Sequence, residues 1–228
     1  MDTTTSKSGA PHDRLIHGLA ADLKPVRLLP SPLKRAFIWL GFVVTAGLIS
    51  SLIADLPALA QRLAATPDMW LATTGSILTA ILAAIAAFKL SLPDSPRAWA
   101  WLPLPAVVLW LTASGLGCLR SFVLPDTYVP LFRETMECLA IILAFSVPFS
   151  VLLFAMLREA FPLLPGLTAV IGGLAVAAAS ATLLNLFHPF DAAAVDLLVH
   201  AFAVALVVVA SRAVGARAFA PANFSQPA

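Results

Sequence analysis

Residues 69–90 read MWLATTGSILTAILAAIAAFKL, an apolar run whose single charge, Lys89, comes one residue from its end. An α-helix of about 20 residues crosses the roughly 30 Å hydrocarbon core of a bilayer. In lipid every backbone N–H and C=O needs an internal partner, so the crossing form is a helix and not an open sheet. Moving outward from this stretch, similar runs occur at Ala36–Ala54, Trp99–Leu116, Cys138–Leu157, Gly166–Phe187 and Ala194–Ser211. The last of these carries Asp196 and His200 in its first two turns. The expected fold is all-α: a polytopic membrane bundle of six transmembrane helices, preceded by a short N-terminal helix.

Composition agrees. The 228 residues are 60% hydrophobic and 11% charged, with a mean hydropathy of +0.93. A soluble domain carries about 25% charged residues. The chain divides into a polar leader, residues 1–35, a membrane domain, residues 36–212, and a tail, residues 213–228. Pro57-Ala58-Leu59-Ala60 imitates a signal-peptidase site. However, the apolar run before it exceeds the usual length of about 7–15 residues for a signal sequence, and its polar leader is too long. The first span is therefore expected to be retained.

Sidedness follows from the basic residues. With the N-terminus in the cytoplasm, all of the 14 Lys and Arg residues except Arg62, Arg120 and Arg133 fall on the inner side. That asymmetry places both termini in the cytoplasm. Asp55, Asp68, Asp126, Glu134, Glu137, Asp191 and Asp196 then face outward.

The leader, Asp13–Arg35, reads DRLIHGLAADLKPVRLLPSPLKR. Leu15, Ile16, Leu19 and Leu23 fall on one helical stripe, with Asp13 placed as N-cap and Pro25 as stop. Arg14, His17, Asp22 and Lys24 occupy the other face. An amphipathic helix of about three turns is marginal alone in water, so it requires lipid, the bundle or another protein. The region before it, residues 1–12, reads as disordered. The prolines of Pro25–Pro32 make an extended spacer, and Lys34 and Arg35 are expected to anchor the first span at the headgroups.

Within the membrane domain, Trp70, Trp99, Trp101 and Trp110 lie near span ends, as interfacial aromatics do. Pro148 is expected to kink the fourth span. Gly172, Gly173, Ala177 and Ser180 form a small-residue face for close packing, and Thr73, Ser76 and Thr79 can do likewise. Loops are short, and the longest is Gly117–Glu137 on the outer side.

Two clusters could carry chemistry. Cys118 and Cys138 flank that outer loop; they read either as a redox or metal-sensing pair or as two small buried hydrophobes. His188, Asp191, Asp196 and His200 include plausible metal ligands, with Asp196 and His200 one helical turn apart. The same residues read equally as a His–Asp pair packing the bundle. There is no phosphate loop, HExxH, nucleophile elbow or C-x-x-C. Charged residues are missing from mid-depth of the spans, so no proton relay or ion path is visible.

The leader pattern Leu15-Ile16-x-x-Leu19-Ala20-x-Asp22-Leu23-x-Pro25-Val26-Arg27-x-Leu29-Pro30-x-Pro32, followed by Arg35 and the spans, resembles the NrsF-type anti-sigma factors of proteobacterial inner membranes. Gly117-Cys118-Leu119-Arg120, Cys138 before a proline-containing span, and His188-Pro-x-Asp191 with Asp196 and His200 are similar to that family as well. The resemblance implies a non-enzymatic inner-membrane protein whose cytosolic leader holds an extracytoplasmic-function (ECF) sigma factor. Leu15, Ile16, Leu19, Asp22, Leu23, Pro25, Val26 and Arg27 would form the partner-binding segment. Oxidants or heavy metals acting at the outer cysteines would release the sigma factor. No bound cofactor is implied beyond a transient heavy-metal ion at the outer face, and no direct contact with nucleic acid. Members carry Cys-Pro where this chain has His188-Pro189, which leaves Cys118 with Cys138, or a mixed Cys/His metal site, for sensing. Two other readings stay open: a small membrane thiol–quinone oxidoreductase, and a metal or small-solute transporter. The sigma factor, the inducer and the oligomeric state are not legible.

Overall fold

The computed structural model describes residues 9–21, 29–65, 67–123, 132–160 and 162–187, with Phe202, Ala205, Leu206, Val209, Ala210 and Ala213 beyond them. Among these every regular element is a helix. Helix α1 covers Gly9–Ala21, α2 Pro32–Ser51, α3 Leu56–Ala65 and α4 Pro67–Leu90. A 3₁₀ turn, Arg97–Trp101, precedes α5, Leu104–Val123; α6 is Phe132–Arg158 and α7 Pro165–Leu184. Among the described residues, five helical stretches are long and apolar enough to cross a membrane. Most of the sixth expected span, Ala194–Ser211, lies outside the described residues, although Phe202, Ala205, Leu206, Val209 and Ala210 within it are helical.

Local chemistry sets the helix ends. Ser31 caps α2, its Oγ accepting the Lys34 N–H at 3.4 Å, and Pro32 occupies the first turn. There its missing N–H costs nothing. The span therefore starts four residues before the expected Ala36, and Pro32 belongs to the helix instead of the spacer. Trp99–Trp101 do not join α5 as expected. Pro103 has no N–H to offer the Trp99 carbonyl, and Leu102 donates to it instead at 3.1 Å, which tightens the chain into a 3₁₀ turn. The α-helical pattern resumes with Val107 donating to the Pro103 carbonyl at 2.9 Å.

Two further differences concern the loops. Asp55 Oδ1 accepts the Ala58 N–H at 3.0 Å and caps α3, in a stretch where hydropathy alone suggests only a loop. At the other boundary, α5 continues to Val123 and α6 begins at Phe132. The expected Gly117–Glu137 loop is thus mostly helix: Cys118, expected just past the third span, lies within α5, and Cys138, expected to open the fourth, lies inside α6.

Helices α4 and α7 form the centre. α4 packs against α2, α3, α5, α7 and the 3₁₀ turn, and α7 also packs against α6 and α2. α7 has 78% of its span buried, against 17% for the span that includes α5. Lipid tails are as apolar as leucine, so helix association depends on close van der Waals packing and not on hydrophobic exclusion. The central helices supply the small residues this requires. Ala80, Ala83, Ala84, Ala86 and Ala87 are buried on α4, and Gly172, Gly173, Ala175, Ala177, Ala178 and Ser180 on α7. A Cβ on Gly75 would lie 2.7 Å from the backbone N of Trp110, so α4 and α5 touch backbone to backbone there.

Candidate functional site

The leader begins with α1. It starts at Gly9 and not at Asp13, so Asp13 lies inside the helix and is not its cap, and part of the stretch expected to be disordered is helical. Pro11 sits in the first turn, where the amides have no intrahelical partner. Leu15 and Ile16 are each 61% exposed, and Asp13, Arg14 and His17 are exposed as well. Leu19 is on the helix, but its side chain lies outside the described residues, as do Asp22, Leu23, Pro25, Val26 and Arg27 altogether. Two large aliphatic side chains on a solvent-exposed helix form a surface that another apolar surface can cover.

The leader joins the bundle at the start of α2. Here Arg35 is not the expected headgroup anchor. It is 2% exposed, with its guanidinium carbon 5.0 Å from the centre of the Phe88 ring. Nη1 donates to Ser91 Oγ at 3.5 Å, and Ser91 Oγ donates in turn to the Phe88 carbonyl at 2.7 Å. Nη2 is buried with no hydrogen-bond partner. Nearby, Thr168 Oγ1 faces the Leu90 carbonyl at 3.5 Å, and Lys89 Nζ lies 5.1 Å from the centre of the Trp99 ring. The start of α2, the end of α4 and the start of α7 therefore meet at one end of the bundle. Sequence reasoning missed Arg35 because a basic pair at a span terminus ordinarily snorkels into headgroups.

Polar side chains bridge the helices elsewhere. Asn185 donates to Thr73 Oγ1 at 3.2 Å, Ser76 and Thr182 hydroxyls are 2.9 Å apart, and Ser146 donates to Ser180 at 3.1 Å. Trp39 Nε1 donates to the Phe149 carbonyl at 3.1 Å, one residue past Pro148. This extends the expected packing role of Thr73, Ser76 and Ser180, and together these bonds tie α2, α4, α6 and α7 together.

The residues expected to sense stress are less fully placed. Cys118 lies on α5 and Cys138 on α6, with their side chains outside the described residues; His188, Asp191, Asp196 and His200 lie outside them entirely. Among the described residues no group of three or more His, Cys, Asp and Glu could hold a metal ion.

Among the described residues, the all-helical architecture, several apolar spans and interhelical packing through small residues are compatible with a polytopic membrane protein. The family described as "NrsF: Negative regulator of sigma F" matches residues 19–220, and the chain belongs to it. No curated protein and no solved structure matches the chain. The family is a regulatory one, and its partner is a sigma factor.

Proposed function

We propose that this protein holds an ECF sigma factor at the bacterial inner membrane through residues 13–27 and releases it when outward-facing residues sense oxidative or heavy-metal stress. The observation that supports the holding step is the exposure of Leu15 and Ile16 on α1, ahead of a membrane bundle. An apolar helix face of this kind fits a groove on a soluble partner, and tethering keeps the captured partner near the membrane. The positive-inside asymmetry supports cytoplasmic termini, which is the side a sigma factor requires.

Sensing falls to Cys118 and Cys138, with His188, Asp191, Asp196 and His200 as further ligands for a soft or borderline metal ion. Moving occupancy of the leader from 1:99 to 99:1 takes about 5.5 kcal/mol of differential free energy. Thiol–thiol or thiol–metal bond formation supplies energies of that order.

A transcriptional reporter tests the reading. Leu15→Asp with Ile16→Asp is expected to switch on a promoter of the cognate sigma factor without stress, at unchanged membrane levels of the protein. Transcription that stays at the repressed level would refute the leader as the holding element. Cys118→Ala with Cys138→Ala is expected to leave repression intact and abolish induction by hydrogen peroxide or Cd²⁺; induction at the normal level would remove the cysteines from the mechanism.

A further inference from the structure

Arg35 occupies a place that costs free energy in two ways. It is a charge removed from water inside a membrane helix, where ionisable residues are expensive. It also leaves Nη2 buried without a hydrogen-bond acceptor. A methionine of similar length would avoid both, since apolar replacement of buried ionic groups is often neutral or stabilising. Stability alone therefore does not account for the burial of this arginine.

What the arginine does is geometric. Its planar guanidinium lies over the Phe88 ring of α4 and bonds Ser91 just beyond that helix, while its backbone lies three residues into α2, whose first turn is capped by Ser31. The Arg35 N–H donates to the Ser31 carbonyl at 3.1 Å, so the cap and the buried side chain are parts of one turn. The charge of Glu159, immediately after α6, acts on the same guanidinium. One side chain thereby links the root of the leader to the end of α4.

We propose that Arg35 is a positioning residue: it pins the first turn of α2 to the end of α4, fixing where and in what direction the sigma-holding leader leaves the bundle. This rests on the anti-sigma reading for its consequence, but the fixed geometry itself does not depend on it. A leader whose root is held in place captures its partner without first being ordered, and a swinging root loses that advantage.

The test uses the full chain in lipid nanodiscs, in a Cys118→Ala, Cys138→Ala background. Nitroxide labels at Leu29→Cys and Asp94→Cys, both exposed, report the distance between the leader's root and the α4–α5 connection by pulsed electron resonance. Arg35 is expected to give one narrow distance distribution, and Arg35→Met a distribution at least twice as wide at an equal or higher melting temperature. Arg35→Lys, which keeps the charge but loses the planar face, is expected to broaden it too. In cells Arg35→Met is expected to raise sigma-dependent transcription several-fold. Leu15→Asp with Ile16→Asp raises transcription too but leaves the distribution narrow. An Arg35→Met distribution as narrow as that of the parent, or a broad one accompanied by a lowered melting temperature, overturns the positioning role. A wild-type chain that represses no sigma factor, with the distance result as expected, overturns the anti-sigma reading alone.

Discussion

Substitution of Gly75 by alanine probes the close contact between α4 and α5. The added Cβ would lie 2.7 Å from Trp110 N, 2.8 Å from its Cα and 3.0 Å from its Cβ, whereas ordinary contact begins at 3.4 Å. None of these atoms is the far end of a flexible side chain, so relief requires α4 and α5 to separate by roughly 0.5 Å or more along a packed face. Overpacking of this kind costs about 1–3 kcal/mol, offset by at most about 1 kcal/mol of helix propensity gained over glycine. Gly41 supplies the control. A methyl group added there would meet nothing within 4 Å, so Gly41→Ala collects the propensity gain of up to about 1 kcal/mol without the clash. Gly47, whose nearest neighbour is the movable Leu183 Cδ2 at 3.0 Å, should fall between them. SDS titration of the protein in mixed micelles, followed by circular dichroism, reads the order. Gly75→Ala is expected to be the least stable of the three, below Gly41→Ala by about 2 kcal/mol. Equal stability for the two variants would refute the backbone contact between α4 and α5.

Trp39→Phe removes the buried donor to the Phe149 carbonyl and leaves a void. The expected loss is about 1–2 kcal/mol in the same titration, the hydrogen bond itself contributing about 0.6 kcal/mol in a membrane. Asp55→Ala removes the α3 cap at a cost of about 1 kcal/mol. Amide exchange around Ala58 is then expected to accelerate about fivefold while the spans exchange as before; unchanged exchange at Ala58 would deny the cap.

Much of this architecture is legible in the sequence because the bilayer leaves so few options. The span expected at Met69–Leu90 is the apolar part of α4, and Gly166–Phe187 differs from α7 by one residue at its start and three at its end. The small residues of α7 point to close packing whatever the partner helix. Hydropathy carries no information about caps, however. Ser31-Pro32 and Asp55-Leu56-Pro57 are start signals for α2 and α3, and they become visible only when taken as cap and first turn. The place of Arg35 is hidden for a different reason. Whether a terminal arginine snorkels outward or folds back onto an aromatic ring depends on where Phe88 and Ser91 come to lie, more than 50 residues further along the chain. The leader's apolar residues are legible as a surface in need of cover, and Leu15 and Ile16 are exposed as that requires. Which partner covers them depends on a second chain, and a single sequence does not encode it.

Membrane fractionation tests the central claim most directly. Full-length protein and its cognate sigma factor are expressed together, and membranes are sedimented and probed for the sigma factor. The account predicts that the sigma factor pellets with membranes containing the wild-type chain and moves to the supernatant with Leu15→Asp, Ile16→Asp membranes carrying equal amounts of the variant. A sigma factor that remains soluble beside the wild-type chain, or pellets equally with both, would contradict it.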